Sequence, residues 1–289
     1  MTATTSAAAT PAPTTPATHT TPTPPTTSPR TRGTARIVAG FAGWDFVRNV
    51  RMVEATFFIV VLPAALYFMF GALSSFSDMQ AGHGNVAAYN MVSMAVYGAA
   101  LATSSIAGSA AVERQKGWGR QLGLTGLTGP AYILGKVLVA LAIAIMPIVV
   151  LGVVGALSGA RLDGAGVWAA TGGLTLLAAL PFAFYGLAAA LLFRSEAAVS
   201  AASGLLVVLA FFGNLFMPLS GTLLTIAKFL PMYGSASLAR WPQLEGAVIA
   251  IDGPGTTDPV WLIVVNVLAW TLIFAAICWV GARRTTSRG

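Results

Sequence analysis

The chain has 289 residues, 56% of them hydrophobic and only 9% Asp, Glu, Lys or Arg, with a mean hydropathy of +0.78. A soluble domain keeps about 25% of its residues charged, so this composition excludes a water-soluble globular protein. The net charge of +7 would suit a nucleic-acid binder, but the placement of the charges along the chain gives it another meaning.

Residues 1–35 open on "MTATTSAAATPAPTTPATHTTPTPPTTSP", a Thr/Pro/Ala stretch with no charge and no apolar core. A signal peptide needs basic residues followed by an unbroken hydrophobic run, and neither is here. Too little can be buried for folding, which predicts a disordered cytoplasmic tail. Residues 36–56 include "FAGWDFVRNVRMVEA", with Phe46, Val50, Val53 and Phe57 at helical spacing while Asp45, Arg48 and Arg51 project elsewhere. With Trp44 beside them, they predict an interfacial helix along the inner leaflet.

A helix needs roughly 20 apolar residues to cross the hydrocarbon core. Charge-free runs at 55–77, 79–112, 137–160, 164–193, 197–227 and 259–282 therefore predict an all-α integral membrane protein with six transmembrane helices. The spans are placed at about 57–75, 86–112, 131–157, 165–192, 197–217 and 260–281 of a single domain, 36–289. Between spans five and six, Lys228 and Pro231 interrupt the apolar run, which predicts short extracellular helices, followed by a loop with Glu245, Asp252 and Asp258. With a cytoplasmic N-terminus, 13 of the 16 Lys and Arg fall inside and only Arg161, Lys228 and Arg240 outside. That split is what the positive-inside rule demands. It places both termini in the cytoplasm of a cell whose plasma (inner) membrane holds the chain, and it assigns the basicity to membrane lipid, not nucleic acid.

Within the spans, Pro63, Pro147 and Pro181 are candidate hinges. Small residues four apart (Gly98 and Ala102, Ala107 and Ala111, Ser200 and Gly204) favour close helix approach, in the fifth span across a dimer as well. Asn90, Ser93, Thr103, Ser104, Ser105, Thr171, Thr175, Asn214 and Asn266 suit interhelical hydrogen bonds. No catalytic constellation is legible. There is no GxxxxGK[ST] phosphate loop, and the single Cys278 supports neither a disulfide nor a Cys-cluster metal site. Ionisable residues are missing at mid-membrane depth, where ion-driven carriers commonly keep them. Energy for transport would have to enter from elsewhere.

One charged island interrupts the apolar middle: "VERQKGWGRQLGLTG", residues 112–126. It resembles the intracellular coupling segment in permease subunits of type-2 ABC exporters, whose pattern is roughly E-R-x-x-G, leucines, Thr-Pro, then Gly-Lys at the third span. Glu113, Arg114 and Gly117 match the first part, Leu122 and Leu124 the leucines, Thr125 the threonine, and Gly135 and Lys136 the last pair. Thr125-Gly126 departs from Thr-Pro, and Gly119, Gly123 and Gly126 weaken any helix there by about 1 kcal/mol each relative to Ala. "GNLFMPLS", with Phe216 and Pro218, resembles that family's outer turn, and Leu230, Pro231, Met232 and Tyr233 resemble its Leu-Pro-x-x-Tyr element with one residue fewer before the tyrosine. The similarity covers about 40–282.

The resemblance implies two permease chains side by side, as a homodimer or heterodimer, each docking a separate ATP-hydrolysing subunit on residues 113–130. Mg-ATP would bind that partner, and this chain would carry no cofactor. Glu113 would lie at the membrane end of the segment, with Arg114, Lys116 and Arg120 presenting cations to the ATPase. Phe57, Phe58 and Tyr67 of the first span and Phe211, Phe212 and Phe216 of the fifth would line a path for apolar or amphiphilic cargo, a drug, antibiotic or lipid. A membrane scaffold or assembly protein without transport activity is the alternative of a different class.

Overall fold

The computed structural model describes residues 34–52, 56–113, 129–193, 195–249 and 256–286. Among these residues the regular structure is helical, apart from three isolated β-bridges. In chain order the helices are α1 (Thr34–Val50), α2 (Phe57–Ala72), α3 (Val86–Glu113), α4 (Gly129–Leu157), α5 (Ala165–Ala178), α6 (Leu180–Phe193), α7 (Glu196–Phe212), α8 (Gly221–Ala227), α9 (Pro231–Leu244) and α10 (Val260–Thr286). Four segments are long and apolar enough to cross a membrane: Val86–Ala110, Ala131–Leu157, Ala165–Phe193 and Val260–Gly281. Phe57–Ala72 and Glu196–Phe212 are apolar but shorter. The chain is thus an all-α protein of membrane-spanning type.

The helix α3 is the axis of the bundle. It is almost wholly buried and the least apolar of the four long segments, whereas α10 exposes most of its surface and is strongly apolar. Lipid rewards apolar surface, so the helix shielded by its neighbours is the one that tolerates Asn90, Ser93, Thr103 and Ser104. Of these, Thr103 and Ser93 reach other elements, the Thr103 hydroxyl donating to the Ala179 carbonyl at 3.1 Å and the Ser93 hydroxyl accepting from Arg240 of α9 at 2.8 Å. Ser93 and Asn90 bond back to carbonyls one turn earlier in α3.

The prolines and small residues act together. A Cβ on Gly98 would lie 2.8 Å from Pro147 Cβ and 3.1 Å from Pro63 Cγ, so both prolines pack where α2, α3 and α4 meet. Pro63 has no N–H for the Ile59 carbonyl, and the turns around it open to π geometry at Phe57–Val61 and Phe68–Ala72. Pro147 leaves α4 continuous. Near Pro181 the predicted fourth span, matched by the single apolar segment Ala165–Phe193, has one break in its helix, α5 ending at Ala178 and α6 starting at Leu180. Gly186 of α6 presses on the backbone of Ser104, where any Cβ would overlap. Gly204 of α7 has nothing within 4 Å of a Cβ among the described residues; α7 instead buries Val199, Ala202, Leu206 and Ala210.

The two ends of the bundle differ. At one, α1 lies against the start of α4 and the end of α3. At the other, the turn before α3 is tied to α9 and to the turn before α5: the His83 amide donates to the Gln243 carbonyl at 2.7 Å and the Asn85 amide to the Arg161 carbonyl at 3.1 Å. The predicted helices between spans five and six are α8 and α9. Pro231 opens α9 at a position where no backbone donor is needed.

Candidate functional site: an ion cluster where the basic segment leaves the bundle

The basic segment leaves α3 after Glu113 and the described chain resumes at α4. Of its proposed docking residues, Glu113 is described; Arg114, Lys116, Gly117, Arg120, Leu122 and Leu124 lie outside the described residues. Glu113 is enclosed by three elements. Its Oε2 accepts from the Tyr132 hydroxyl at 2.7 Å and lies 2.8 Å from Lys136 Nζ, both on α4. Its Oε1 accepts from Arg48 Nη2 of α1 at 2.5 Å. The same Arg48 nitrogen lies 2.8 Å from Asp45 Oδ1, and Lys136 Nζ lies 3.0 Å from Asp45 Oδ2. Two carboxylates and two cations thus close a neutral ring of four side chains.

Burial gives this ring its weight. Lys136 and Asp45 are 1% and 0% exposed, and the Glu113 side chain 18%. Burial alone would raise the Glu113 pKa; the hydrogen bonds from Lys136 and Tyr132, the Lys136 charge and the Arg48 hydrogen bond outweigh it and hold the carboxyl below its ordinary value. For Arg48, burial alone would lower the pKa, and the Glu113 hydrogen bond and charge with the Asp45 charge outweigh it in turn, so the net shift is upward. A loop carboxylate in an exposed pair would contribute about 0–1 kcal/mol. Breaking a buried pair, which leaves a charge without compensation, costs about 3–5 kcal/mol. Glu113 therefore holds the bundle together as well as bordering the basic segment.

The local sequence explains how the ring forms. Gly135 lets α1 come close, since a Cβ there would lie 3.0 Å from Phe41 Cδ1. The next residue, Lys136, then reaches Asp45. Phe41 and Tyr132 seal the approach, ring centroids 5.4 Å apart, and Asn49 donates to the Asp45 carbonyl at 2.7 Å. The orientation of α1 differs from the expected one at Asp45 and Arg48, which turn toward the bundle. Its inward face carries Val38, Asp45 and Asn49, while Trp44 and Val47 are exposed. Asp45 turns in because its partners Lys136 and Arg48 are there; Phe46 and Val50 pack partly against the core beside it. Lys136, expected at the start of the third span, is likewise enclosed.

Of the six aromatic residues of the predicted cargo path, Phe57 and Phe58 touch one another, ring centroids 5.6 Å apart, and so do Phe211 and Phe216 at 4.8 Å. Phe57 and Phe58 are exposed on α2, and Phe211 and Phe212 are exposed on α7. Tyr67 is buried, its hydroxyl 2.9 Å from Ser158 Oγ. Phe216 is buried between Phe211, Tyr97 and Phe70, with centroids at 4.8, 5.1 and 6.1 Å. Tyr97 and Phe70 had no signal in the sequence beyond being aromatic residues within apolar runs. Beside the ion ring, Arg48, Glu113, Ser105, Ser109, Glu196 and Ser200 line a groove of about 380 Å³ between α1, α3 and α7.

No protein-family model and no curated protein matches the chain. Among the described residues no group of His, Cys, Asp and Glu could hold a metal ion, and Cys278 is a packing residue of α10 whose thiol lies 3.3 Å from the Phe184 carbonyl.

Proposed function

We propose that the chain is the membrane-spanning subunit of an ATP-driven exporter of type-2 ABC character. In this reading it crosses the plasma membrane six times, with Phe57–Ala72 and Glu196–Phe212 as the two short crossings. It works as a pair of permease chains, and each chain docks a separate Mg-ATP-hydrolysing subunit on residues 113–130. The observation that carries the reading is the buried ring of Asp45, Arg48, Glu113 and Lys136. It ties α1, α3 and α4 into one rigid unit at the two roots of the basic segment, so a push on that segment would move three helices together. The groove beside the ring mixes Ser105, Ser109 and Ser200 with Met52, Val112 and Val199, a lining that suits amphiphilic cargo.

Because Glu113 also stabilises the fold, the docking test belongs on its neighbours. Removal of the positive charges by Arg114→Ala, Lys116→Ala and Arg120→Ala together leaves the ring whole. Affinity purification of the wild-type chain from its own membranes is expected to bring down a phosphate-loop subunit and ATPase activity. The triple variant should reach the membrane in equal amount, lose that subunit and export nothing. A wild-type chain that comes down without any ATPase, or a triple variant that keeps it and exports normally, would leave the scaffold reading in possession.

A further inference from the structure

The other end of the bundle holds a buried charge that pairs with no carboxylate among the described residues. Arg240 of α9 is 4% exposed. Its guanidinium lies 4.1 Å above the Tyr89 ring. Nη1 donates to the Tyr89 hydroxyl at 3.0 Å, and Nη2 donates to the Ser93 hydroxyl at 2.8 Å and to the Asn214 carbonyl at 3.0 Å. All three acceptors are neutral. The nearest acid on the adjoining Tyr233 side is Asp258, and it is already engaged by Lys228 and by the Tyr233 hydroxyl, both at 2.5 Å. Among the described residues, Arg240 has no carboxylate within ion-pair distance. Burial pulls its pKa downward, and the partial attractions of Tyr89 and Tyr233 offset that only in part.

Arginine stays protonated in proteins and offers five N–H donors. Three are used here, and the buried Nε has no acceptor. The side chain lines a cavity of about 20 Å³ together with Asn214, Tyr233, Ser237 and Gly246. A site of roughly 10–15 Å³ admits one water, so this one has room for a single small species. Water would meet the orphan donor but would leave the charge uncompensated in a low-dielectric site, where unpaired charge is costly.

We propose that this cavity binds one small monovalent anion, a halide such as chloride, against Arg240. The ion completes the hydrogen bonding of Nε and neutralises the guanidinium. It thereby fastens α9 to the start of α3 and to the turn at Asn214, and makes the stability of that end depend on chloride.

The test uses the full chain purified in detergent, unfolded thermally in sodium chloride or in sodium gluconate at equal ionic strength. Chloride should raise the midpoint by a few degrees and saturate, as a ligand of the folded state does. Bromide should replace it, while sulfate, too large for the cavity, should not. Arg240→Gln should unfold at one midpoint in both salts. Should that variant fail to fold, wild-type crystals soaked in bromide still decide the matter, through an anomalous peak against Arg240 Nε. A wild-type midpoint equal in chloride and gluconate, or a bromide-soaked crystal without that peak, would overturn the proposal and leave the cavity to water.

Discussion

At the scale of single residues, Lys136 is the most exacting test of the ion ring. Truncating it by Lys136→Met leaves Asp45 and Glu113 facing Arg48 alone and should destabilise the chain by about 3–5 kcal/mol. Asp45→Asn alone should be similarly harmful. The two together restore a balance of one carboxylate and one cation, so the double variant should be clearly more stable than the sum of the single losses. Additive costs in detergent unfolding would mean that the charges do not act as a ring. Glu113 adds a pH signature. Its folded pKa lies below the unfolded one, so its stabilisation is complete above the ordinary value of 4.5 and is lost as pH falls through the lower folded value. The unfolding midpoint should therefore drop on acidification through that window, and Glu113→Gln should flatten the drop. A variant as acid-sensitive as wild type would remove Glu113 from the account.

At the scale of elements, the apolar runs made the long helices legible, because the requirement for about 20 apolar residues is a property of the bilayer itself. The short helices between spans five and six were legible from Pro231 and Lys228 for the same reason. The rotation of α1 was not. Its apolar periodicity pointed Phe46 and Val50 inward, which they partly are, but nothing in residues 36–56 announces that Asp45 has a lysine waiting 91 positions later. That pairing is written across two helices, and the Gly135-Lys136 dipeptide was readable only through a resemblance. Spacing of small residues was also ambiguous, since it marks close approach without naming the partner. The structure separates the cases. Gly186→Ala puts a Cβ onto the backbone of Ser104, which cannot rotate away, so it should exceed the about 1–3 kcal/mol usual for overpacking or prevent folding. Gly204→Ala meets open space and removes a glycine from the middle of α7, so it should leave the single chain as stable as before or up to about 1 kcal/mol more stable. Equal effects of the two substitutions on detergent unfolding would contradict the helix packing described here.

At the scale of the whole molecule, the bundle has one end built on a balanced ion ring and a basic segment, and another built on turns and short helices around Arg240. The account requires the ring end to face the cytoplasm, because only there can an ATP-hydrolysing subunit reach it. The charge asymmetry predicts this orientation, and labelling of single cysteines measures it. In a Cys278→Ala background, cells are treated with a membrane-impermeant thiol reagent. Asp78→Cys and Glu245→Cys, whose parent side chains are exposed at the Arg240 end, should be modified from outside. Arg51→Cys, exposed just beyond α1, should be modified only after the membrane is opened. Labelling of Arg51→Cys in intact cells, with Asp78→Cys and Glu245→Cys spared, would put the ion ring outside and end the case for ATP-driven coupling through it.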